Sequence, residues 1–172
     1  MSNAAQLTER TRALILAQIK ANIVAELAAI RTDRNDPSVN TDPPLKYFIF
    51  DGAHTYQCPC IFLVVDSFDV PDERVGPNHV NAVVKVYVSA VVEDREAPAL
   101  TIKAERYQSA LFKILHWQTF NDPTHNVKLF SRVKRCEFSP VYTKERAGEN
   151  MASFRKEVSM ELEVKHYENP NV

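Results

Sequence analysis

The stretch "HTYQCPC" places His54, Cys58 and Cys60 close together, and imidazole and thiolate are the groups that zinc selects. A tetrahedral site needs a fourth ligand, which His79 or Cys136 would have to supply. Two cysteines one residue apart also bite a metal less well than a CxxC pair. The plainer reading is free cysteines at the start of a core strand, with no metal bound. Cys136 is the only thiol with cationic neighbours, Lys134 and Arg135, which would favour a nucleophilic thiolate. Successive residues of a strand point to opposite faces, however, so a structural thiol is expected. Glu157, Glu161 and Glu163 share one strand face with Arg155 and Lys165 interleaved, the pattern of a solvated face or a charged subunit contact rather than an acid and base held in different environments. Lys128, Arg132, Lys134 and Arg135 with Phe130 form the basic and aromatic mixture of strands that touch nucleic acid. The competing reading is an exposed edge strand that uses cations to discourage aggregation.

Composition removes several classes of chemistry. The three glycines, Gly52, Gly76 and Gly148, are too far apart to build a phosphate-binding loop, a dinucleotide GxGxxG or a GxSxG nucleophile elbow. A net charge of −1 gives no global reason to bind nucleic acid, and three cysteines are too few for a disulfide framework. With 45% hydrophobic and 25% charged residues, the 172 residues are expected to form one soluble domain, 1–172. No uninterrupted apolar run approaches the length of a membrane span, and the N-terminus lacks the order of a signal peptide, so no membrane partner is expected. Neither an enzyme nor a cofactor is expected.

The elements that would position these residues follow from periodicity. Leu16, Ile19, Ile23, Leu27 and Ile30 predict a long N-terminal amphipathic helix ending near Arg31. "KYFIFDGAH" and "CIFLVVDSFDV" read as short strands, and Val80 to Val92 alternates as one long strand. Its even positions are wholly apolar, and Val83, Tyr87 and Val91 make the other face half-apolar. Ala99 to Trp117 predicts a second helix with Leu100, Ala104, Tyr107, Leu111 and Ile114 on its stripe, Tyr107 and Trp117 being core positions. Two closing strands follow, the first with a bulge near Lys134 to Cys136. In the second, Phe154, Val158, Met160, Leu162 and Val164 face in, and Arg155, Glu157, Ser159, Glu161 and Glu163 face out. The expected fold is α+β: a mainly antiparallel sheet of about five strands with two long helices on one face, in the order α-β-β-β-α-β-β. The other sheet face is left for a partner subunit to cover.

Read in order, "LILAQIKANIVAELAAI", "CPCIFLVV", "NAVVKVYVSAVV", "TIKAERYQSALFKIL" and the closing strands resemble the tail terminator and tail-completion proteins of tailed bacteriophages, over roughly residues 8 to 167. The resemblance implies a structural virion protein, assembled in the host cytoplasm. It would form a homo-oligomeric, hexameric ring that caps the tail tube and joins it to the neck. Implied partners are the tail tube protein, a neck or head-completion (stopper) protein and a sheath, with DNA passing through the lumen unread. Ring and partner contacts would come from the hairpin tips and the open face: Asp72, Glu73, Arg74, Val83, Tyr87, Val91, Lys144, Glu145, Arg146, Glu149, Arg155 and Glu161. Alternatives are another head–tail connector, a small metal- or ligand-binding α/β domain using His54, Cys58, Cys60 and Cys136, and a dimeric nucleic-acid-binding module using the basic strand.

Overall fold

The computed structural model describes residues 4–34, 39–49, 57–70, 80–144 and 153–168. The elements run α1 (Ala4–Asp33), β1 (Lys46–Phe48), β2 (Cys60–Asp69), β3 (Val80–Asp94), α2 (Ala97–Leu115), β4 (Gln118–Asp122), β5 (Val127–Phe138), β6 (Tyr142–Lys144) and β7 (Ser153–Glu168). Among the described residues the strands form one seven-stranded sheet ordered β1-β2-β3-β7-β5-β4, with β6 continuing beside β7. The expected α+β architecture holds, with two strands added. "QTFND" after α2 becomes β4, which turns back into β5, and β6 resumes the line of β5 after a break at Ser139 to Val141. All pairings are antiparallel except β1 with β2.

The length of β3 follows from its position. β7 pairs with it from Val80↔Glu168 to Asp94↔Phe154, and β2 covers its other edge from Cys60↔Val91 to Asp69↔Val83. A strand hydrogen-bonded on both sides over this span has no reason to stop early. Its inward Val84, Val86, Val88 and Val92 are fully buried, each worth about 1.5–3 kcal/mol relative to exposure. The bulge expected in β5 is found between Val133 and Arg135, where one extra residue shifts the register against β7.

Both helices pack on the inward face. α2 starts with proline in its first turn and buries Leu100, Ala104, Tyr107, Ala110, Leu111, Ile114 and Leu115. α1 buries Leu7, Ile15, Ile19, Ile23 and Leu27, with Leu16 and Ile30 at the margin of that stripe. By length and composition alone, the 28 residues Gln6–Asp33 would also suffice to cross a bilayer, which a search for unbroken apolar runs overlooks. A core helix passes the same test; here Leu7, Ile15, Ile19, Ile23 and Leu27 of α1 are buried, while Val24 is 56% exposed.

Two polar features tie the helices in place. Arg106 on α2 is fully buried and donates from Nη1 to the Val39 carbonyl at 2.5 Å and to Thr41 Oγ1 at 3.2 Å. Tyr107 next to it donates to the Asp42 carbonyl at 2.7 Å, and burial raises its phenol pKa above the ordinary value. On the other helix, Arg10 Nη1 lies 2.6 Å from Glu168 Oε1 at the end of β7. Lys113 and Glu26, 2.7 Å apart, add an exposed link between the helices, worth no more than about 1 kcal/mol.

Candidate functional site

Cross-strand register assigns the odd residues of β3 to the face away from the helices: Val83 beside Asp69, Lys85 beside Ser67 and Glu163, Tyr87 beside Val64 and Glu161, and Ser89 beside Phe62 and Ser159. This face is open from Val83 to Ser89, and several of its charges answer one another. Lys85 Nζ is 3.6 Å from Glu161 and 5.1 Å from the centre of the Tyr87 ring, and Lys134 is 3.4 Å from Glu163. Ser89 and Ser159 share a 2.8 Å hydrogen bond across the strand pair, and Ser159 donates to Glu157 at 3.0 Å. Such a ladder offers register and partner choice rather than much stability. Val83, Tyr87 and Glu161 are half-exposed on this face.

Two expected contact residues are not available. Val91, paired with Cys60 of β2 and Glu157 of β7, is 1% exposed. Arg155 is 3% exposed and grips Glu93 Oε2 from both Nε, at 2.8 Å, and Nη2, at 2.7 Å, with Tyr142 of β6 paired beside it. Alternation placed Arg155 on the correct face, but β6, which lies along that end of β7, was not foreseen. Asp72, Glu73, Arg74, Glu145, Arg146 and Glu149 lie outside the described residues, and the backbone of Lys144 closes β6.

Among the described residues the catalytic and metal candidates are not assembled into a centre. Among the described residues no group of three His, Cys, Asp or Glu is placed to hold a metal, and His54 and His79 lie outside them. Cys60 is buried, and its thiol pKa is raised by a hydrogen bond with Cys58 and by burial. The thiol of Cys136 is raised mainly by burial; it packs against the core opposite Met160, on the other side of the strand from its cationic neighbour Arg135. Among the described residues one arrangement imitates a triad, and sequence spacing does not reveal it. Thr11 Oγ1 is 2.9 Å from His166 Nδ1, and His166 Nε2 is 3.4 Å from Glu168 Oε2. Nucleophile, base and carboxylate occur in that order in serine hydrolases, but here Thr11 and His166 are both 0% exposed and face no substrate space. The group acts as a polar strut between α1 and β7.

Burial holds the His166 pKa below its usual value; the nearby Arg10 charge acts in the same sense, and Glu168 opposes both. The unfolded chain, titrating near 6.5, then binds more protons than the folded one between the two pKa values. Stability is therefore fully present above about pH 6.5 and is lost as pH falls toward the folded-state pKa. His166→Gln should flatten the fall in melting temperature between about pH 7 and pH 5, which a pH series of thermal melts would measure.

Trp117 departs most from expectation. Its spacing continues the stripe of α2, but the helix ends at Leu115, and Trp117 has a φ of 57° and is 54% exposed. A bulky residue in the left-handed region is uncommon and costs about 1–2 kcal/mol. Phe130 lies 5.4 Å away ring to ring, and the Arg132 guanidinium carbon is 5.0 Å from the indole centre. His116 bridges the indole to Phe112, itself 40% exposed. This cluster joins the basic and aromatic residues of β5 to the end of α2. β5 is an edge only in part: β4 pairs with it from Val127 to Ser131 and leaves Arg132 to Phe138 beyond its end.

No family model matches the chain, and a search of curated proteins finds no match. Among solved structures, the chain is similar to one from "Virion of native gene transfer agent (GTA) particle", at 12% sequence identity and a TM-score of 0.38, covering 88% of this chain and 97% of that one.

Proposed function

We propose that this chain is a structural virion protein of a tailed phage or prophage, acting as a tail terminator. It works as a homo-oligomeric, hexameric ring that seats on the last ring of the tail tube, covers the surface to which another tube subunit would add, and presents its other side to the neck. The observation that carries this reading is the open sheet face, with its half-buried Val83 and Tyr87 and its charge ladder, opposite a face fully covered by two helices. The element order through which the sequence resembles the terminator proteins supports it. The role is steric and non-enzymatic, with shape complementarity setting strength and rim charges setting partner choice. DNA crosses the lumen without being read.

Adding the purified protein to polymerising tail tube subunits should shorten the tubes in proportion to dose, as seen by electron microscopy, with the chain at tube ends. Tubes of unchanged length, or copurification with portal-bearing heads instead of tubes, would sink the terminator reading.

A further inference from the structure

We propose that copies of this chain join head to tail through two surfaces at opposite edges of the sheet: the Trp117–Arg132 cluster beside β4 and β5, and the cleft against β2 that holds Asp66. This rests on the ring reading and names the contact that would close the ring.

A closed ring needs two different, complementary surfaces on each subunit, and β1 and β4 are the two ends of the strand order. The β4 end carries an exposed indole with Phe112 nearby and Arg132 over its ring. Trp and Arg are the residues that most often anchor interfaces. Arg132 over the indole, Lys128 further along β5 and Lys165 opposite Phe130 on β7 are exposed cations with no carboxylate at salt-bridge distance among the described residues. An exposed aromatic held at positive φ beside unanswered cations is a surface that gains from a partner bearing apolar walls and carboxylates.

The other end supplies both. A cleft of about 460 Å³ is walled by Ile49, Val64 and Phe68, with Thr8, Arg12 and Asp66 among its polar lining. That is room for an indole and the guanidinium beside it. Asp66 is exposed, with Lys85 4.0 Å away, and Asp69, also exposed, has no cation at salt-bridge distance among the described residues. Arg12 is the one cation in the cleft wall. The cleft end thus offers two carboxylates, Asp66 in its wall and Asp69 beside it, partly offset by Arg12 and Lys85, to the three cations at the other end. Val70, more than half exposed, follows the cleft residue Phe68 by two positions.

The test uses the full chain in sedimentation velocity, with Trp117→Gly and Asp66→Arg as variants. Glycine suits the positive φ at 117, so that variant should melt no lower than the wild type while its self-association weakens at least tenfold. Asp66→Arg should weaken it similarly. Each variant keeps the surface the other lacks, so an equal mixture should form one-to-one pairs that neither forms alone. If the wild type assembles and both variants assemble equally well, this interface is wrong and the ring reading survives. If the wild type stays monomeric at its highest soluble concentration and on added tail tubes, the ring and the interface fall together. Loss of salt-sensitive single-stranded DNA binding in Trp117→Gly, with self-association intact, would reassign the cluster to nucleic acid and overturn the proposal.

Discussion

Arg106→Ala is expected to lower unfolding stability by about 3–5 kcal/mol, seen in urea titration as an earlier midpoint with an unchanged slope. The guanidinium lies entirely inside the protein, where it holds the Val39 carbonyl and Thr41. Hydrogen bonds from a charged donor are worth about 1.5–3 kcal/mol each, and removing the side chain also leaves a cavity under the path from α1 to β1. Relief of the buried charge acts in the opposite direction. Arg106→Met, which keeps the stem and discards the charge, should therefore cost clearly less than alanine. Tyr107→Phe removes only the bond to the Asp42 carbonyl, about 1 kcal/mol. An alanine variant within 1 kcal/mol of wild type would show that residues 39–42 do not depend on this clamp.

Arg10→Ala is expected to cost about 3 kcal/mol or more, because it takes the 2.6 Å partner from a carboxylate that is 4% exposed. Loss of the Arg10 charge should also let the His166 pKa rise, since that charge helps hold it down. The variant would then be less stable at neutral pH yet lose less on acidification than the wild type. A histidine titration followed by NMR, run beside denaturant melts, reads both effects. A His166 pKa unmoved by the substitution would mean that the arginine acts through packing alone.

Much of this architecture is legible in the residues because alternation and helical spacing report which face is covered. The even positions of β3, the stripe of α2 and the in-and-out pattern of β7 all emerge on the expected sides. What alternation cannot report is what a distant segment supplies. His166 and Glu168 continue the inward register of Leu162 and Val164, but only α1, far away in sequence, explains two polar groups there. Arg155 reads as solvated until β6 is placed beside it. Trp117 extends an apolar stripe in sequence, and the one clue against a core position was the alternation of "QTFND" around Phe120, which marks a strand and an earlier helix end. The basic and aromatic character of β5 was visible from the start, but not the indole that completes it.

β7 follows every other described element along the chain and yet lies between β3 and β5. During synthesis, therefore, β1–β2–β3 and β4–β5 lack the strand that joins them until Ser153 to Glu168 is made. Pairings this remote make for late, slow closure, and the waiting edges are sites for mispairing between nascent chains. Production of soluble protein should then depend more on chaperone supply and slow growth during synthesis than the stability of the finished fold would suggest.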